Sequence, residues 1–172
     1  MRKRLPQLAS WRSVAMCGAL AVLPGCASAP PCVDATTPIY SLNKHIEEIT
    51  QRWKQNNYML THEFRHNLES PQWPAGGASS YTMSYDTQPG REYLFVFTAA
   101  DGATDLALSL RDSEGGYFTA DTRNMGNAFL HPPYIVYPGS ATPTKIELRA
   151  EIVKGNRCYA VPVAVVVYSR LK

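Results

Sequence analysis

His62, Glu63 and His66 stand in the spacing H-E-x-x-H, within the run Thr61-His62-Glu63-Phe64-Arg65-His66. On a helix, two histidines four residues apart share a face, so both imidazoles reach one zinc ion while the glutamate acts as general base in peptide hydrolysis. On a strand the same two histidines lie roughly 13 Å apart, at a rise of ~3.3 Å per residue, whereas ligands sharing a zinc at ~2 Å bonds must approach to ~4 Å. Local structure therefore decides the chemistry. Tyr58, Leu60, His62, Phe64, His66 and Leu68 alternate with Met59, Thr61, Glu63, Arg65, Asn67 and Glu69, and the second set is polar except for Met59. That is the pattern of a half-buried strand. A third ligand also has no recognisable place, since no G-x-x-H follows His66 and Glu92, the one distant glutamate that would serve, falls in a strand pattern. A small zinc metallopeptidase using His62, Glu63 and His66 is thus the alternative reading, and no metal site is expected.

Other chemistries have less support. Asp101, Asp105, Asp112, Glu114 and Asp121 cluster in turns, where oxygen ligands can hold calcium, but no D-x-D-x-D-G loop is present. There is no nucleophile elbow and no glycine-rich phosphate loop, so no cofactor is expected. Tyr134, Tyr137 and the stretch Phe129 to Pro133 form either a stacking platform for a ligand or an aromatic plug at the end of a sandwich.

The elements that must position these residues follow from periodicity. Leu42, Ile46, Ile49 and Trp53 recur every three or four residues with charged residues between them, and Ser41 can cap the start. The spacing predicts one amphipathic helix over 41–57, packed on the core of the domain. Beyond it the pattern becomes β. Tyr81, Met83 and Tyr85 alternate with polar residues; Arg91 to Phe97, Leu106 to Leu110, Tyr117 to Ala120, Tyr134 to Tyr137, Lys145 to Val153 and Cys158 to Tyr168 supply further strands. Gly155-Asn156 is expected to join the last two as a hairpin, and Pro162 to mark an edge or bulge. The fold class is mainly β: an antiparallel β-sandwich of about seven or eight strands over 58–172, preceded by the helix.

The N-terminus supplies an address. Arg2, Lys3, Arg4 and Arg12 precede the apolar run Val14 to Val22, which is too short for a stable membrane anchor and is followed by Leu23-Pro24-Gly25-Cys26. These four residues resemble a bacterial lipobox, which implies cleavage of a signal peptide over 1–25 and lipidation of Cys26, the membrane attachment. An ordinary secretory leader cut near Ala29 is the plainer alternative. Residues 26–40, with Pro30-Pro31, form a tether, and the absence of Asp after Cys26 resembles the signal for the outer membrane, with the domain in the periplasm. Loss of the leader removes four basic residues, leaving 13 against 14 acidic ones, so the formal +3 of the chain becomes about −1. No basic footprint for nucleic acid remains. Cys32 and Cys158 are then an even pair in an oxidising compartment, where a disulfide is the default.

One family resemblance joins these threads. Pro89-Gly90-Arg91-Glu92-Tyr93, then Thr104 to Gly115, then Asp121 resemble the bacterial pre-peptidase C-terminal type of β-sandwich over about Tyr58 to Tyr168. The resemblance implies an accessory module without catalysis in a secreted or surface protein. The expected function is therefore a lipid-anchored binding module for an envelope protein or glycan.

Overall fold

A computed structural model describes residues 37–68, 79–101, 103–122, 131–155 and 160–172. The chain divides into two compact units, Met1–Pro30 and Pro31–Lys172, and every described residue belongs to the second. Cys26, Cys32 and Cys158 lie outside the described residues.

The second unit is a β-sandwich with one helix on its outside. Helix α1 (Thr37–Lys54) leads into β1 (Met59–Leu68), β2 (Ser79–Asp86), β3 (Arg91–Ala99), β4 (Ala103–Asp112), β5 (Tyr117–Asp121), β6 (Tyr134–Tyr137), β7 (Lys145–Gly155) and β8 (Val161–Leu171). One sheet has the order β1-β8-β3-β6 and the other β2-β7-β4-β5, with every pairing antiparallel. The mainly β class expected from the alternation is the class observed.

The helix begins four residues before the expected start. Pro38 sits in its first turn, where the missing N–H would have had no helical partner anyway, so a residue that reads as tether instead opens the helix. Ser41 is accordingly not the cap but a buried helical residue whose hydroxyl accepts a hydrogen bond from the Asp101 N–H at 3.1 Å. The other end closes in a Schellman motif. Tyr58 N–H donates to the Trp53 carbonyl and Asn57 N–H to that of Lys54, while Asn57 takes a φ of 62°, the left-handed position that Asn tolerates better than most residues. The hydrophobic contact that accompanies this motif is Trp53 against Tyr58, with ring centroids 5.8 Å apart.

Leu42, Ile46 and Ile49 are buried on the outer face of the first sheet, where α1 lies across β8, β3 and β1. This explains the unusual composition of β8. Every residue from Val161 to Ser169 is buried, because the helix covers one face of the strand and the second sheet covers the other. β7, by contrast, alternates Ile146, Leu148, Ala150 and Ile152 inward with charged residues outward, as a strand with one wet face should.

That difference also corrects the expected β7–β8 hairpin. The two strands lie in opposite sheets, since a strand dry on both faces belongs under the helix and a half-wet one does not. Pro162 marks neither an edge nor a bulge: β8 lies between β1 and β3. The proline is tolerated because it is the second residue of the strand, and its carbonyl still accepts from the Ala100 N–H at 2.8 Å. A bulge does occur in β1, where the register shifts between Leu60 and His62. It overturns the placement of Leu60 on the face of His62: Leu60 is opposite Tyr168 and His62 opposite Val167, which are adjacent residues on opposite faces of β8.

Candidate functional site

The H-E-x-x-H residues occupy strand β1, so the helical face that a zincin needs is not formed. His62 and His66 are both exposed on the edge strand β1, each against its own aromatic partner. The His62 ring meets Phe64 at 4.4 Å between centroids, and His66 stacks on Tyr81 of β2 at 4.3 Å with the planes 10° apart. Glu63 is on the opposite face and accepts from the Arg65 Nε at 2.6 Å, while Arg65 Nη1 donates to Asn43 Oδ1 of the helix at 2.7 Å. The spacing thus serves an aromatic seam on one face and a helix clamp on the other.

The turn acids are likewise dispersed. Asp112 Oδ1 accepts from the N–H groups of Glu114 and Gly116 at 3.0 and 2.6 Å, so this carboxylate organises its own turn. Asp101 stands 3.9 Å from His45, near the start of the helix, and Asp121 belongs to a different cleft altogether. Among the described residues no group of three His, Cys, Asp or Glu side chains is placed to hold a metal ion.

That cleft joins aromatic and proline side chains to polar groups, the composition of many ligand sites. It has a volume of about 340 Å³ and lies where the end of α1 meets β5 and the start of β6. Trp53, Pro132, Pro133 and Tyr134 supply its apolar wall, and Arg52, Asp121 and His131 its polar groups. Trp53 and Tyr134 meet edge to face at 5.3 Å between centroids, and the Tyr134 residue is left 50 % exposed. Each part has a local cause. The Schellman turn holds Trp53 at the helix end, the four-residue strand β6 places Tyr134 on its outer face, and β5 ends at Asp121.

Of the aromatic residues singled out in the sequence, Tyr134 and the prolines line the cleft but Tyr137 does not. Alternation turns Tyr137 inward, where it is buried and its hydroxyl donates to Asp112 Oδ2 at 3.3 Å. Phe129 and Leu130 lie outside the described residues. In the sequence Trp53 reads only as part of the helix stripe and Asp121 only as one of the turn acids, and no spacing joins them or Arg52 to Tyr134. The helix end and the end of β5 are brought together only in the folded domain. The available signal was Trp53 at the polar end of an otherwise aliphatic helix stripe.

Two buried tyrosines beside the helix make the fold sensitive to alkali. Burial, followed by the hydrogen bond its hydroxyl donates to Glu92 and the charge of that carboxylate, pushes Tyr58 up to about 12 from an ordinary 10.0, with Arg170 pulling the other way. Burial also pushes Tyr168 up to about 12; the Thr50 hydroxyl at 3.0 Å acts in the lowering direction. Both raised values favour the neutral phenol in the folded state. Their stability contribution is complete below the unfolded value near 10 and is lost as pH rises towards 12. The urea midpoint should therefore fall steeply over that interval, and the decline should flatten in Tyr168→Phe. A wild-type midpoint that holds level to pH 12 would contradict the assignment.

No protein-family model matches this chain, and no curated protein matches it.

Proposed function

We propose that this protein is a non-catalytic lipoprotein, anchored in the outer membrane through Cys26, whose periplasmic sandwich binds a glycan of the cell envelope in the Trp53–Tyr134 cleft. The single observation that carries the reading is an aromatic ring packed edge to face on Trp53 yet half exposed, in a cleft that also carries groups able to pair with hydroxyls. A sugar ring presents a C–H face to an aromatic ring and hydroxyl edges to planar polar groups. Arg52, Asp121 and His131 around Tyr134 suit that chemistry. Asp121 is the one carboxylate among the described lining residues, short of the pair that glycoside hydrolysis ordinarily uses, and this supports binding over hydrolysis. The resemblance to accessory sandwiches points the same way.

Anchoring rests on the leader and on Leu23-Pro24-Gly25-Cys26. Among the described residues no helix is long and apolar enough to cross a membrane. The reading includes a Cys32–Cys158 disulfide, which would tie the sequence before the helix to the sequence between β7 and β8.

Binding is tested by cosedimentation of the purified chain with isolated envelopes of the source bacterium. Tyr134→Ala should weaken binding about tenfold, the equivalent of ~1.4 kcal/mol, without altering the unfolding midpoint beyond the small change expected of a surface residue. Periodate oxidation of the envelopes should abolish binding and protease treatment should leave it. The reverse sensitivity identifies a protein partner and sinks the glycan assignment. Undiminished binding by Tyr134→Ala sinks the site.

A further inference from the structure

A second cleft, of about 580 Å³, lies at the end of the first sheet where β1 and β3 begin and β8 ends. Its lining brings Arg91, Arg170 and Lys172 together with a single acidic side chain, Glu92. The carboxylate is already committed. Arg170 Nη2 lies 2.7 Å from Glu92 Oε1, the Tyr58 hydroxyl donates to the same oxygen, and the Arg170 guanidinium sits 4.6 Å over the Tyr58 ring. This closed triad neutralises Arg170 within the protein.

Arg91 is placed differently. Its Nη1 donates to Ser169 Oγ at 2.9 Å, a hydroxyl on a residue only 1 % exposed, so a neutral buried group orients the guanidinium without cancelling its charge. Register reinforces the placement: Arg91 is paired with Leu171 and Glu92 with Arg170 across β3 and β8. Lys172 adds a second cation. The side chains of the lining sum to a positive charge of two, and a terminal α-carboxylate on Lys172 would still leave one. Beside these cations Met59 and Leu171 are 73 % and 74 % exposed, two apolar side chains standing in water.

We propose that this cleft receives the carboxylate of an acidic peptide, with Arg91 as its principal ligand and Lys172 in support, and with Met59 and Leu171 against the aliphatic part of the same peptide. A planar guanidinium held at one edge keeps its remaining N–H donors for the paired contact that carboxylates favour. The apolar flanks distinguish an anion carried on an aliphatic body from a bare ion. Location argues for a water-borne ligand over a lipid headgroup. The chain enters the helix near Ala99 and Asp101, to which His45 and Ser41 are bonded, and the cleft lies at the opposite end of β3. That last step rests on the lipid-anchor reading; the recognition chemistry does not.

The test is fluorescence anisotropy of the full chain in neutral detergent with a dye-labelled Ala-Leu-Leu-Asp peptide as the probe. Expected is saturable binding that weakens at least tenfold in Arg91→Gln and two- to fivefold in Lys172→Gln, and is lost when both peptide carboxylates are amidated. Arg91→Gln removes a bond to a buried serine, so Lys172→Gln, at an exposed residue, keeps the test alive if the first variant does not fold. Tyr134→Ala should leave this binding unchanged, which separates failure here from failure of the glycan site. Absence of binding, equal binding of the amidated peptide, or no loss in either cation variant overturns the proposal. So does displacement of the probe by inorganic phosphate or phosphatidylglycerol vesicles while other acidic peptides fail to displace it.

Discussion

Replacing Phe95 by alanine lowers the free energy of unfolding by about 3 to 5 kcal/mol. Phe95 is fully buried in β3, the strand that pairs with both β8 and β6, and its ring lies 5.9 Å from Tyr85 of the opposite sheet and 6.2 Å from Tyr93. Truncation removes the transfer energy of the ring and leaves a void in a close-packed interior beside β3 and β8, both paired on two sides, with little freedom to collapse. Phe118→Ala supplies the control. That ring is only partly buried, on the edge strand β5, and its loss should cost about half as much or less. Urea unfolding of the two variants decides it, and equal losses would show that the core does not centre on β3.

Gly139→Ala is the second large effect, a loss of more than about 2 kcal/mol. Gly139 has a φ of 72°, and a Cβ there would run into the carbonyl oxygen of Arg91, a backbone atom in a paired strand that has no room to withdraw. Gly90 separates the two causes. Its φ of 73° is the same, but nothing lies within 4 Å of the added carbon, so Gly90→Ala should cost only the left-handed penalty of about 1 kcal/mol. Thermal unfolding of the pair measures the difference. Because the obstruction is at Arg91, Gly139→Ala should also weaken the acidic-peptide probe, whereas Gly90→Ala should weaken it less. Indistinguishable midpoints for the two variants would contradict the close approach.

Much of the fold was legible because it rests on local periodicity. Leu42, Ile46 and Ile49 show the helix, and Tyr81, Met83 and Tyr85 show a strand with one inward face, whatever the tertiary arrangement. Pairing was less legible. Gly155-Asn156 has hairpin composition, yet only the continuous apolar run of β8 hints that its strand must be covered on both faces and so belongs to the other sheet. The bulge at Leu60–His62 has no composition signal at all, and it reverses the face of Leu60. The start of the helix was hidden by Pro38, a residue that marks a tether as readily as a first turn.

Sites were harder still, since they depend on contacts between distant segments. H-E-x-x-H was conspicuous because its meaning is written in local spacing, and the strand that carries it gives those residues structural partners instead. The Trp53–Tyr134 contact spans the helix end and the sixth strand, and Arg91–Ser169 spans the third and the eighth. No spacing rule connects such pairs before the sheet order is known.

The central claim, a binding module whose ligand sits at Tyr134, is tested most directly by photo-crosslinking in living cells of the source organism. A photoreactive phenylalanine analogue is placed at Tyr134, on the cleft, or at Glu147, exposed on the outer face of β7. The account predicts a discrete envelope adduct from position 134, sensitive to periodate, and none from position 147. No adduct at 134, or the same adducts from both positions, would contradict it.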